Sequence, residues 1–220
     1  MKTALAFTAA LLVSTLASAA SSPTPPAGLE EQLQQIQGDW ARTNYLTQDE
    51  DRKAAEFDAL AKRAEAFVRA FPGRAEPLIW EGIVLSTYAG VKGGLGALGL
   101  AKRARARLEA ALALDPDALD GSAYTSLGTL YSKVPGFPLG FGDDAKARKL
   151  LETALKLNPS GIDPNYFYGE FLYDAGRYPE AVTALRRALA APPRPGRELA
   201  DRGRRGEIEA LLAKAQSKLG

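Results

Sequence analysis

From Leu29 onward the apolar residues of this chain recur at intervals of three and four, the spacing of one face of an α-helix. Three stretches repeat one another in register. Ala104, Leu108, Ala111 and Pro116 form the first, Ala147, Leu151, Ala154 and Pro159 the second, and Ala181, Leu185, Ala188 and Pro193 the third. In each set the alanines and the leucine share a helix face. The alanines let a partner helix approach, the leucine fills the gap between helices, and the proline stops the helix. A glycine precedes each set (Gly99, Gly142, Gly176), where the phase of the repeat places a tight reversing turn. Upstream of each turn the companion helix also carries a glycine: Gly82, Gly128 and Gly169. Alternating runs of β-branched and polar residues are lacking, so the pattern predicts an all-α chain of antiparallel helix pairs.

The same pattern divides the chain. Residues 1–19 read as a cleaved leader, with Lys2 before a short apolar stretch and Ala17-Ser18-Ala19 as the small-residue cleavage site. Residues 20–28, rich in Pro and Ser, read as a disordered leader segment. Residues 29–74 form a divergent helix pair, Leu29–Leu46 and then Asp51–Phe71, the second ended by Pro72-Gly73. Three units follow over 75–118, 119–161 and 162–195. Residues 196–220 supply a capping helix with Ile208, Leu211, Leu212 and Ala215 on one side. Two units carry extra residues between their helices, about ten at Thr87–Leu98 and about seven at Ser132–Phe141, which reads as two expanded loops.

Leu127-Gly128 followed by Tyr131, with the Ala-Leu-Ala-Pro spacing, resembles the tetratricopeptide repeat. That resemblance implies helical hairpins stacked in a right-handed array whose first helices line a concave groove. Repeat register puts Lys133 in the groove from the second unit, with Tyr166, Glu170, Tyr173 and Asp174 from the third. These residues suit a bound peptide or small ligand, and the tyrosines equally suit helix packing. A narrower resemblance rests on Tyr131–Asp144, Gly161–Leu172, Ala191–Pro195 and Asp201–Arg205. These segments are similar to the T-component family of tripartite ATP-independent periplasmic (TRAP) transporters. Membership implies a periplasmic helical-repeat protein that forms an oligomer around a pore and docks a solute-binding protein. The chain departs from the lipoprotein form of that family, because it has no cysteine to acylate. In the segment Val134–Phe141, a Pro/Gly-stiffened loop presents Phe137, Leu139 and Phe141, either as a partner or ligand contact or as a plug tucked into the array.

Composition narrows the chemistry. Lysine and arginine number 28 against 26 acids, so nothing calls for nucleic acid. There is no histidine and no cysteine, hence no imidazole base, no thiolate and no histidine-containing metal site. Asp143-Asp144 and Asp115 with Asp117 sit at helix ends rather than as a facing acid/base pair. Gly94-Leu-Gly96-Ala-Leu-Gly99 matches a dinucleotide fingerprint in letters alone, with no strand before it. The basic clusters Lys102, Arg103, Arg105, Arg107 and Arg202, Arg204, Arg205 are interleaved with acids and read as solvated helix faces. No hydrophobic run of spanning length follows the leader. The sequence thus points to a periplasmic binding protein with no cofactor and no catalysis, either a transport adaptor or a general envelope scaffold. A ligand carrier is the third reading.

Overall fold

The computed structural model describes residues 28–220; the leader expected at residues 1–19 lies outside them. Nine helices and no strand occur among the described residues. They are α1 (Leu29–Leu46), α2 (Glu50–Ala70), α3 (Ala75–Lys92), α4 (Gly94–Leu114), α5 (Ala118–Lys133), α6 (Asp144–Leu157), α7 (Ile162–Asp174), α8 (Tyr178–Leu189) and α9 (Glu198–Ser217). Consecutive helices pack as pairs, α1 with α2, α3 with α4, α5 with α6 and α7 with α8, and α9 covers α8. The all-α expectation holds.

The repeat spacing is the packing rule of these pairs. All nine alanines and leucines of the three sets are 0 % exposed, so the second helix of every pair buries the same face in the same way. Asp49 and Asp143 cap α2 and α6 by accepting from the backbone N–H groups of Arg52 (2.7 Å) and Lys146 (2.9 Å). The acid pair at 143–144 is therefore a helix start. The dinucleotide-like glycines open α4 without a preceding strand. None of the described helices is long and apolar enough to cross a membrane.

The first unit differs from its expected loop. Residues 87–98 form no expanded connection: α3 runs on to Lys92 and α4 begins at Gly94. Val91, Ala97 and Leu100 on the extended helices pack against the core, burial that an irregular loop would forfeit. Gly99 accordingly lies inside α4, and the reversing turn is at Gly93, whose φ of 60° is left-handed. In the second unit the extra residues do form a loop, from Val134 to Asp143. At the start of α5, Leu119, Asp120 and Gly121 adopt left-handed backbone angles.

Candidate functional site

The first helices of successive pairs contact one another on the inner side: α1 with α3, α3 with α5, α5 with α7, and α7 with α9. The ends then meet, because α9 also packs against α1. Gly203 of α9 sits so close to Tyr45 of α1 that a Cβ there would overlap the ring. Five helices thus form a ring whose inner side lines a partly open chamber of about 990 Å³. Its wall is mainly apolar. Trp40 and Trp80, edge to face at 6.2 Å, line it together with Ile83, Leu130 and Phe167. Polar groups are interspersed, and the indole N–H of Trp40 donates to Thr87 Oγ1 at 2.9 Å. Leu119 and Asp120 line the same space in their left-handed conformation, which costs about 1–3 kcal/mol per residue and is typical of functional walls.

One side of the chamber carries a charge cluster in which Asp201 and Arg204 are buried and Asp163, Arg194 and Glu207 half-buried. Arg194 reaches Asp163 Oδ2 at 2.6 Å and Asp201 Oδ1 at 2.7 Å. Arg204 reaches Asp163 Oδ1 at 2.9 Å and Glu207 Oε2 at 2.6 Å. Burial alone would raise the Asp163 carboxyl, but Arg204 and Arg194 outweigh it and bring its pKa down to about 2. Burial pushes the Glu207 carboxyl up despite Arg204 beside it. The Tyr45 phenol, buried and in reach of Glu207 at 3.4 Å, is pushed up to about 12. Arg197 enters none of these ion pairs. Its guanidinium lies over the Trp80 ring, 5.0 Å from the centroid, and its Nε is buried without an acceptor. Burial first, and then the like charge of Arg194, lower its pKa to about 10.

A tetratricopeptide-repeat family model matches residues 139–201, from the loop after α5 into α9. Among similar solved structures, TTC0263, a thermophilic TPR protein of Thermus thermophilus, is 19% identical, with 87% of this chain and 88% of that chain covered and a TM-score of 0.59. This is a tetratricopeptide-type fold. Two crystal structures of MamA superpose less closely. One is 21% identical, with 77% of this chain and 92% of that chain covered at a TM-score of 0.44. The other is 20% identical, with 86% and 92% covered at 0.43. No curated protein matches the chain at the sequence level.

The tetratricopeptide frame separates the residues singled out in the sequence. Lys133 lines the chamber and pairs with Glu170 at 3.3 Å and Asp174 at 2.7 Å. Burial disfavours its charge, yet the two carboxylates hold its pKa above the ordinary lysine value. Tyr166 is a packing residue, buried under the Arg204 guanidinium at 4.5 Å. Tyr173 packs edge to face on Tyr178 at 5.5 Å. The loop splits: Phe141 packs on Tyr131 at 5.4 Å and under the Arg105 guanidinium at 4.5 Å. Phe137 and Leu139 stand out, 93% and 73% exposed, and Leu139 also lines the chamber.

The basic clusters are not solvated faces throughout. Arg204 is buried, Arg205 donates to the carbonyl oxygens of Leu189 and Ala191, and Arg107 reaches the buried Glu81 at 2.8 Å. Apart from Glu207, three residues from Arg204, their partners lie far off in sequence and offer no local signal. Sequence reasoning also missed Trp40, Trp80 and Arg197 as wall residues. Three of the segments that carry the narrower resemblance do converge on the charge cluster, through Asp163, Arg194, and Asp201 with Arg204. Among the described residues no group of His, Cys, Asp and Glu is placed to hold a metal ion.

Proposed function

We propose that the protein is an exported, periplasmic adaptor that holds an organic ligand in its chamber and exchanges it with a protein partner docked on the Val134–Asp143 loop. Repeat arrays are interaction scaffolds whose concave faces serve as binding surfaces. Here the ring of α1, α3, α5, α7 and α9 curves that face into a partly open chamber within the size range of small-molecule sites. The observation behind the reading is that Leu139 belongs to both places, exposed on the loop and lining the chamber. A partner gripping Phe137 and Leu139 would sit beside the mouth of that chamber. The partner this suggests is a TRAP-type solute-binding protein, in keeping with the segments that resemble the T-component. A homo-oligomer is compatible with the same arrangement.

The test is cross-linking of the tagged protein in its own envelope, read by mass spectrometry. Wild type should capture a solute-binding protein, and Phe137→Ala with Leu139→Ala should lose it. Glu170→Ala with Tyr173→Ala should retain it. Loss in the second pair with retention in the first would instead assign the protein to general envelope scaffolding through the α7 face.

A further inference from the structure

The charge cluster on the chamber wall is unequally paired. Arg194 and Arg204 are bridged to Asp163, Asp201 and Glu207, whereas the third arginine beside them is bridged to no carboxylate. The unbridged guanidinium is Arg197, held over Trp80 at 5.0 Å with its Nε buried and lacking an acceptor. A buried donor without a partner is costly, and in native proteins such a group calls for a partner, whether water, ion or ligand.

Several other polar groups of the wall are already committed. Ser86 and Thr87 already donate to the carbonyl oxygens of Gly82 and Ile83, at 2.7 Å and 3.0 Å. Ser122 and Thr129 donate to those of Leu119 and Thr125, at 2.6 Å and 2.9 Å. Lys133 is neutralised by Glu170 and Asp174. Arg197 is the charged donor left over, and its planar fork matches a carboxylate. The walls beyond it, Trp80, Ile83, Leu130 and Phe167, offer apolar contact. The neighbouring Asp163 and Asp201 would repel a doubly charged group such as a phosphate more strongly than a singly charged carboxylate.

We propose that the chamber binds an organic carboxylate, with its anionic group on the Arg197 guanidinium and its apolar body along the Trp80 wall. This rests on the ligand-holding reading above and adds the chemical class. Trp40 and Trp80 are the only tryptophans of the chain and both line the chamber, so intrinsic fluorescence reports on occupancy directly.

Decanoate, decanol and decylammonium, titrated by tryptophan fluorescence and by calorimetry, supply the test. Decanoate should bind wild type at least tenfold more tightly than decanol, and decylammonium more weakly than either. Arg197→Gln should weaken decanoate at least tenfold, to the level of decanol, and leave decanol unchanged. Arg197→Lys should keep part of the preference. The wild-type preference is decisive even if a variant fails to fold. Equal binding of decanoate and decanol, or preference for decylammonium, overturns the carboxylate assignment while the chamber keeps its role. No binding of any of the three overturns both.

Discussion

A glycine in each first helix makes room for the repeat leucine of the second. A Cβ on Gly82 would stand 2.6 Å from Leu108 Cγ, one on Gly128 2.8 Å from Leu151 Cγ, and one on Gly169 2.9 Å from Leu185 Cγ. Each clash falls on the branch carbon of a side chain that is 0 % exposed, not on a flexible end that could swing aside. At Gly128 the carbonyl oxygen of Ala147, 3.2 Å from the added carbon, also resists sliding of the helices. Gly128→Ala recovers about 1 kcal/mol of helix propensity. Overpacking of a tight core costs about 1–3 kcal/mol, and the rigid neighbours put this site toward the upper end. We expect a net loss of about 1–2 kcal/mol in urea unfolding. Leu151→Ala alone should cost about 2–5 kcal/mol through the cavity it leaves. In the double variant the new methyl occupies part of that cavity, so the combined loss should fall short of the sum by about 1 kcal/mol. Strictly additive losses would show that the glycine does not serve the leucine.

The Val134–Asp143 loop carries two phenylalanines of the same chemistry and opposite fates. Phe141 is held between Tyr131 and Arg105, whereas Phe137 has almost its whole surface in solvent. Phe141→Ala should therefore lower stability by about 1–3 kcal/mol, less than a fully buried ring would cost. Phe137→Ala should stay within about 0.5 kcal/mol of wild type. Thermal melts of the two variants side by side check this, and equal shifts would mean that the loop is not seated as described. The loop's existence was legible in the sequence, since the repeat phase overruns there and Pro and Gly replace helix formers. Which ring turns inward was not legible, because Arg105 arrives from α4 and Tyr131 from α5. The repeat phase misleads at Gly99 for a related reason. It places the turn by counting from Ala104, but burial of Val91, Ala97 and Leu100 carries both helices past the usual boundary.

At the scale of the whole molecule, the ring closure separates this array from an open one. Open repeat arrays hold together through nearest neighbours, and their ends are independent. Here Tyr45 and Glu207, 162 residues apart, come within 3.4 Å, and α9 lies against α1. No local period encodes such a contact, which is why the helix pairs could be read from the sequence and the chamber they enclose could not. Asp163 and Arg204, 41 residues apart, were hidden in the same way. Two glycines on α9 test the closure against its own control. A Cβ on Gly203 would overlap the Tyr45 ring, whereas one on Gly206 would meet nothing within 4 Å. Gly206→Ala should stabilise by about 0.5–1 kcal/mol through helix propensity alone. Gly203→Ala gains the same propensity but must push α1 and α9 apart, for a net loss of about 1–2 kcal/mol. Because Tyr45 packs on Trp40 at 5.7 Å, that separation also opens the chamber wall to solvent. Acrylamide should then quench tryptophan fluorescence more strongly in Gly203→Ala than in wild type, and equally in Gly206→Ala and wild type. If both alanines stabilise and quenching is unchanged in each, α1 and α9 are apart in solution, and the chamber is an open groove whose ligand would have to be held by the inner helices alone.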